Sequence, residues 1–184
     1  HMTMNSFHTP FFDILMKYWT WLGDGILLVI LMLGLLFISF RYFFTALTAF
    51  ILSGLGVQFF KRVVFNDFPR PVKYFEMIGS DYELYLVPGI EMNAWFSFPS
   101  GHTATAFALF FALALLTRSK VIQTGLLILA IGVGYSRVYL SQHFLMDVVA
   151  GSFLGMIMGW IAWYLFKEIN RKWINSSLNN ILKK

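Results

Sequence analysis

The 184-residue sequence contains no cysteine and few charged residues. Without cysteine, disulfide bonds and thiolate metal sites are excluded. Charged side chains make up 12% of the chain, about half the share typical of a soluble domain, whereas 58% of the residues are hydrophobic. These proportions exclude an ordinary soluble domain, a disordered chain and a nucleic-acid-binding protein. The sequence is that of an integral membrane protein, predicted to form one domain over residues 1–184, in which His1 and Met2 resemble a cloning scar.

Long apolar runs account for most of the chain. A helix that spans the bilayer needs about 20 predominantly apolar residues. Five stretches have this character, and charged or turn-forming residues separate them. They predict an all-α fold, an integral membrane helical bundle with five transmembrane helices over residues 25–40, 43–60, 100–116, 121–139 and 145–166.

Residues 7–23 differ from these stretches because charged side chains interrupt their apolar pattern. Asp13 and Lys17 lie among apolar and aromatic residues at helical spacing, which favours an amphipathic helix on the membrane surface. A short sixth crossing is the alternative. In the last predicted span, Gly151 and Gly155 have a spacing that permits close helix packing. Glycine is also common in membrane helices, so both interpretations stay open.

Proline is nearly confined to one part of the chain, since four of the five prolines lie between residues 69 and 99. They mark residues 61–98 as a long polar loop between spans. Five crossings would place this loop opposite the tail over residues 167–184. The side of the tail carries eight of the fourteen cations but only one of the nine acids, so the positive-inside rule predicts that it is cytoplasmic. The loop is then extracytoplasmic, and a bacterial-type inner membrane is the expected location.

Polar and ionisable residues gather at the span ends on the side of this loop. Such residues are costly near a membrane and are therefore functional candidates. Cationic side chains and a glycine-containing helix N-terminus suit a phosphate group. His143 and Asp147 are four residues apart on one helix face, so the carboxylate can orient the imidazole for attack on phosphorus, while His102 would protonate the leaving group. The candidates are Lys61, Arg70, Ser100, Gly101, His102, Arg137, His143 and Asp147.

Single residues of this set also have simpler interpretations. Ser100 is a common type of helix-capping residue. His143 fits an interfacial aromatic position, and Asp147 fits a solvated helix end. Lys61 and Arg62 fit long side chains that extend from the membrane to the headgroups. The whole set favours phosphoryl transfer, because all of its members converge on one face of the membrane.

The order and spacing of these residues resemble the three-part signature of the type 2 phosphatidic acid phosphatase (PAP2) family. The second part is Pro99-Ser100-Gly101-His102, and the third is Ser136-Arg137 followed by His143 and Asp147. Both have the spacing of the family. The first part departs from it. Eight residues separate Lys61 from Arg70-Pro71, where the family usually has six, and counting from Arg62 leaves seven.

The resemblance implies a role for each candidate residue and implies no metal or other cofactor. The catalytic residues would be His143 as nucleophile, Asp147 as the group that orients it, and His102 as general acid. The phosphate-binding residues would be Lys61, Arg70, Ser100, Gly101 and Arg137.

The resemblance also implies a membrane lipid phosphatase whose site lies at the outer membrane–water boundary. Undecaprenyl diphosphate is the first predicted substrate, because an outward-facing site suits the recycling of a carrier lipid. Phosphatidic acid, phosphatidylglycerol phosphate and lipid A phosphates are the alternatives. Vanadium haloperoxidases share the active site but are large soluble proteins, and a complete catalytic set disfavours a non-catalytic membrane protein. The predicted partners are a lipid phosphate and the bilayer, and the oligomeric state stays open.

Overall fold

The computed structural model describes residues 1–182 of the chain. Lys183 and Lys184, two of the cations counted in the predicted cytoplasmic tail, lie outside the described residues. A 3-10 turn (Thr20–Gly23) follows α2, a π turn (Phe60–Val64) follows α4, and a second 3-10 turn (Lys172–Asn175) precedes α9. The all-α fold predicted from the sequence is confirmed. The helices are α1 Met2–Asn5, α2 Pro10–Trp19, α3 Gly25–Leu35, α4 Phe40–Phe59, α5 Pro71–Met77, α6 Gly101–Leu116, α7 Lys120–Tyr139, α8 Leu145–Lys167 and α9 Leu178–Leu182.

Two capping side chains set the bounds of the first long apolar helices. Asp24 accepts a hydrogen bond from the backbone N–H of Ile26 (2.9 Å), and Ser39 accepts one from the N–H of Arg41 (3.2 Å). Such bonds satisfy donors of a first helical turn, which have no partner inside the helix. Because Ser39 starts a new helix, α3 ends at Leu35, five residues before the end of the helix predicted over residues 25–40.

The number of spans differs from the prediction of five. Within residues 1–182, three helices are long and apolar enough to cross a membrane alone, namely Phe40–Val64, Lys120–Tyr139 and Leu145–Lys167. Pro10–Gly23 and Gly25–Leu35 reach that length only as a pair, with a bend of 59° between them. α3 alone rises about 16 Å, roughly half the thickness of the hydrocarbon core. Length and composition therefore support three spans, or four if the bent pair forms one, and α6 is a shorter apolar helix of 16 residues.

The N-terminal helix α2 packs along α7. The phenol of Tyr139 donates a hydrogen bond to Asp13 (2.6 Å), and ten residues earlier on α7 the carbonyl of Leu129 accepts one from the indole of Trp19 (3.3 Å). The seven residues from Asp13 to Trp19 thus lie beside about 15 Å of α7. The surface position predicted for residues 7–23 stays a prediction, whereas the packing of this segment on the bundle is a feature of the structure.

Three glycines of α8 lie directly against the backbone of α6. A Cβ atom at Gly151, Gly155 or Gly159 would come within 2.6, 2.4 and 2.6 Å of the carbonyl oxygens of Ser100, Ala104 and Ala108. Contacts this short leave no room for a side chain, so the close-packing interpretation of the glycine spacing is confirmed. Since Ser100 directly precedes α6 and Asp147 lies in the first turn of α8, this contact brings two motif segments together.

The loop between α4 and α6 is folded against the same end of the bundle. Residues on either side of α5 are joined by backbone hydrogen bonds from Arg70 to Ala94 (2.8 Å) and from Ser97 to Phe68 (3.0 Å). Asn5 of α1 is buried beside this loop and donates a hydrogen bond to the carbonyl of Tyr85 (2.9 Å). The loop, the turn between α7 and α8 and the start of α6 therefore meet at one end of the molecule.

Candidate active site

His143 and Asp147 lie at the junction of α7 and α8 and are almost completely buried, with 1% and 0% of their surfaces exposed. Nδ1 of His143 is 3.4 Å from Oδ2 of Asp147. The same carboxylate oxygen accepts a hydrogen bond from the backbone N–H of Phe144 (2.9 Å). The contact predicted from the four-residue spacing is present, but His143 lies just before Phe144, the N-cap of α8, and not on the helix face that was predicted. Burial argues against both simpler interpretations, the interfacial aromatic and the solvated helix end.

Ser97 also contacts His143 and Asp147, and the sequence analysis did not identify it as a site residue. Its hydroxyl is buried, donates a hydrogen bond to Oδ2 of Asp147 and lies 3.4 Å from Nδ1 of His143. Ser97 is separated from Asp147 by 50 positions in the chain, so no local spacing indicates the contact. The one signal is its chemistry, since it is a polar residue in an otherwise aromatic segment just before Pro99. Oδ1 of Asp147 is buried with no partner among the described residues.

The two motif arginines are held by a shared acceptor, which the sequence analysis also missed. Nη1 of Arg70 and Nη2 of Arg137 donate to the same side-chain oxygen of Gln142, at 3.1 and 3.2 Å. Arg137 is 7% exposed and also donates to the hydroxyl of Thr20 (2.8 Å), while Nε of Arg70 donates to the carbonyl of Trp95 (3.1 Å). Both guanidinium groups are thus fixed by the surrounding chain before any ligand binds.

Lys61, whose spacing from Arg70 departs from the family pattern, lies in the π turn that follows α4. In this turn the N–H of Phe65 bonds to the carbonyl of Phe60 at 2.7 Å, five positions back. A π turn accommodates one more residue than an α-helical turn, which accounts for part of the unusual spacing between Lys61 and Arg70. Lys61 is half-buried and close enough for its charge to act on Arg70 and on both histidines, whereas Arg62 is exposed.

The N-terminus of α6 supplies the remaining candidates. Ser100 is buried, but its side chain does not cap the helix. Its hydroxyl accepts a hydrogen bond from Thr103 (2.9 Å), and its backbone N–H donates to the carbonyl of Asp147 (2.9 Å). Gly101 begins the helix, so its N–H is among the first-turn donors that no helical carbonyl can satisfy. His102 lies on the same turn, where the charges of Lys61, Arg70 and Arg137 act on it.

Burial and charge together keep His143 unprotonated. Removal of the imidazole from water disfavours its charged form and lowers the pKa of His143 well below its ordinary value of 6.5. The nearby positive charges of Arg137, Arg70 and Lys61 act in the same direction. A neutral imidazole whose Nδ1 faces a carboxylate presents its other nitrogen as a nucleophile.

Phosphate esters are the substrates that this arrangement suits. An imidazole can attack phosphorus, and fixed cations stabilise the charge that develops on the phosphoryl oxygens. Placed at one end of a bundle of membrane-spanning helices, such a site defines a membrane-bound phosphatase. The chain belongs to the PAP2 superfamily, whose family model matches residues 42–171. It is a PAP2-type lipid phosphatase, a hydrolase of phosphate esters.

Individual relatives within this family differ in how much of the chain they match. The lipid A 4'-phosphatase of Bacteroides thetaiotaomicron is 27% identical over 176 residues, which cover 91% of this chain and 76% of the relative. The crystal structure of Aquifex aeolicus LpxE superposes with a TM-score of 0.74 and 27% identity, over 88% of this chain and 91% of that one. The undecaprenyl-diphosphatase BcrC of Bacillus subtilis is 30% identical over only 79 residues, 43% of this chain and 39% of the relative. Undecaprenyl diphosphate, the first substrate predicted from the sequence, is therefore not favoured.

Proposed function

We propose that the protein removes a phosphate group from a membrane lipid through a covalent phosphohistidine at His143, without a metal ion. The observation that carries this proposal is the buried contact of 3.4 Å between Nδ1 of His143 and Oδ2 of Asp147. It leaves Nε2 as the nitrogen available for attack. Cations from three different elements, Lys61, Arg70 and Arg137, act on the histidine by their charge and supply the positive charge that a metal ion would otherwise provide.

In the first half of the reaction, Nε2 of His143 forms a bond to phosphorus and the bond from phosphorus to the lipid oxygen breaks. The negative charge of the bound phosphate offsets the nearby cations and favours protonated His102, which donates its proton to the departing oxygen. In the second half, His102 accepts a proton from water, the resulting hydroxide attacks phosphorus, and the bond to Nε2 breaks to release inorganic phosphate. Arg70, Arg137 and the N–H of Gly101 stabilise the charged phosphoryl oxygens in both halves.

A lipid A phosphate is the substrate that we propose. Support comes from the relative from Bacteroides thetaiotaomicron, which carries that activity in its name and aligns with 91% of this chain. The likeness to the undecaprenyl-diphosphatase extends over less than half of the chain. We further propose that the site faces the periplasm and that the C-terminus is cytoplasmic, as the distribution of cations along the sequence predicts.

Phosphate release by the purified full-length chain in EDTA tests this function. The substrate panel would contain lipid A, undecaprenyl diphosphate, phosphatidic acid and phosphatidylglycerol phosphate. We expect turnover without added metal, the highest kcat/KM for lipid A, and strong inhibition by orthovanadate, which adopts the geometry of the transition state. A requirement for Mg²⁺, or insensitivity to millimolar vanadate, would contradict the mechanism. A higher kcat/KM for undecaprenyl diphosphate would contradict the substrate alone.

A further inference from the structure

A cavity outside the catalytic pair lies where the π turn after α4 meets the loop. It has a volume of about 410 Å³ and is lined by Gln58, Lys61, Arg62 and Phe96. Two of its four lining side chains are cations. Because the charge of Lys61 acts on Arg70 and on His143, this cation belongs both to the cavity and to the catalytic site. The cavity therefore adjoins the place where the scissile phosphate would lie.

Arg62 is the cation of this cavity for which the catalytic mechanism has no use. Its Nε donates a hydrogen bond to the side-chain oxygen of Gln58 (3.0 Å), which fixes one edge of the guanidinium. Within residues 1–182, its two Nη groups have no hydrogen-bond partner. A guanidinium held in this way presents a two-pronged donor that matches a phosphate group.

Phe96, which also lines the cavity, has an unusual backbone conformation. Phe96 has a positive φ of 58°, a conformation that is rare for a bulky side chain. It is maintained by the neighbouring residues, because Trp95 accepts a hydrogen bond from Arg70 and Ser97 bonds to Phe68. Strained residues of this kind concentrate at functional sites. The same hydrogen bonds connect the wall of the cavity to the arginine of the catalytic site.

We propose that this cavity binds a second phosphate group of the lipid substrate, with Arg62 as its principal ligand. The second phosphate is either the inner phosphate of a diphosphate or a separate phosphate on the same headgroup. The proposal rests on the proposed function, since it assumes that the first phosphate reacts at His143. Under this proposal, Arg62 makes the enzyme prefer doubly phosphorylated lipids over singly phosphorylated ones.

The test uses the purified full-length enzyme and compares its activity on matched pairs of substrates. Farnesyl diphosphate is paired with farnesyl monophosphate. Lipid A is paired with the monophosphorylated form that keeps the phosphate to be removed. For each pair, we measure the ratio of kcat/KM for the doubly to the singly phosphorylated member. Arg62→Gln is expected to lower this ratio roughly tenfold, mainly through KM, because one charge-assisted hydrogen bond is lost. The pair that responds identifies the source of the second phosphate.

Arg118→Gln is the matched control, because Arg118 is also exposed but follows α6 at the opposite end of the bundle. Arg62→Lys should restore only part of the ratio, since it keeps the charge without the fork. An unchanged ratio in Arg62→Gln for both pairs would overturn the inference. If the wild-type enzyme releases no phosphate from any lipid, the proposed function fails instead, so the two failures are distinguishable.

A separate observation supports a second inference, which concerns Gln142. This side chain is 3% exposed, and its oxygen is the shared acceptor for Arg70 and Arg137. Its nitrogen donates to the carbonyl of Glu91 (2.9 Å) and contacts the sulfur of Met92 (3.0 Å). One buried amide thus joins both motif arginines to the loop. Two guanidinium groups repel each other, and a single oxygen between them offsets that repulsion.

We infer that Gln142 is a positioning residue. It holds the two guanidinium groups at a distance from each other that a single phosphoryl oxygen can bridge. Two variants separate this role from a structural one. Gln142→Leu removes the bridging oxygen and should lower both the melting temperature and the affinity for vanadate, the latter roughly tenfold. Gln142→Glu keeps the bridge and adds a negative charge, so it should maintain or raise the melting temperature while weakening vanadate binding even more.

The opposite responses of stability and anion binding in Gln142→Glu are the diagnostic result. A residue with a merely structural role would change both quantities in the same direction. Vanadate affinity within twofold of the wild type in either variant would overturn the inference. The measurements need only folded protein and vanadate, so they do not depend on which lipid is the substrate.

Discussion

Nδ1 of His143 lies 3.4 Å from Oδ2 of Asp147, and both side chains are withdrawn from solvent at the junction of α7 and α8. The contact combines two levels of structure. The four-residue spacing places the two residues on neighbouring positions of one turn. The packing of α8 on α6 then buries the pair, because Ser100 bonds to the backbone of Asp147. Local spacing therefore accounts for the contact between the two side chains, and the packing of α8 on α6 accounts for its burial.

Ser97→Ala tests whether the hydroxyl beside this pair contributes to catalysis. The substitution removes a hydrogen bond to Oδ2 of Asp147, which then keeps only the N–H of Phe144 and the imidazole. We expect kcat to fall roughly tenfold with little change in KM, since the lost bond orients the nucleophile and does not contact the lipid. Ser152→Ala is the control, because the Ser152 hydroxyl bonds only within its own helix. Equal kcat values in Ser97→Ala and the wild type would contradict this role.

The pH profile of kcat/KM tests the protonation state of His143. Because the pKa of His143 is lowered, the imidazole stays neutral as the pH falls below 6.5 and loses its nucleophilic lone pair only at more acidic pH. We therefore expect the acidic limb of the profile to lie below 6.5, after correction for titration of the substrate phosphate. Arg70→Gln removes a repelling cation and should shift this limb to higher pH. A wild-type limb above 6.5 would show that His143 is not kept neutral in this way.

Gly155→Ala tests the contact between α6 and α8. A Cβ atom at this position would lie 2.4 Å from the carbonyl oxygen of Ala104, so the helices have to separate. Overpacking of this kind costs about 1–3 kcal/mol, and it would also displace the first turns that carry His102 and Asp147. We expect a lower melting temperature and reduced activity. Gly125→Ala is the control, because its added Cβ would meet no described atom within 4 Å apart from adjacent residues and the backbone of its own helix, so its melting temperature should not fall.

The sequence predicts the contact between His143 and Asp147 because this contact depends on local spacing. Asp147 lies in the first turn of α8 and His143 lies just before Phe144, its N-cap, so the four-residue spacing keeps the two side chains close. The alternating directions of the long helices bring the motif residues to one end. Ser97 and Gln142 are different, since their partners are fixed by the path of the loop over residues 61–98. No periodicity in the sequence encodes that path.

The predicted count of five spans is not confirmed, for a related reason. An apolar run shows that a segment is suited to the membrane, but it does not show where a helix breaks. Ser39 divides the first run by capping a new helix, and Asp24 starts α3 at a bend. As a result, α3 reaches the length of a span only together with Pro10–Gly23.

Reporter fusions test the predicted sidedness. A reporter that is active only in the periplasm should be active when inserted within residues 76–93, and inactive when attached at the C-terminus. The expectation follows from the cation distribution, since the side of the tail carries eight of the fourteen cations. Phosphate release by each fusion serves as the control for folding. The reverse pattern of reporter activity would place the catalytic site on the cytoplasmic side.

The most direct test of the mechanism is to trap the covalent intermediate. The full-length enzyme is mixed with its lipid substrate, quenched in alkali during turnover to preserve the phosphorus–nitrogen bond, and analysed by peptide mass spectrometry. We predict a phosphoryl group on the peptide that contains His143, and neither this group nor phosphate release in a monodisperse His143→Ala variant. A phosphoryl group on another residue, or full turnover by His143→Ala, would contradict the account.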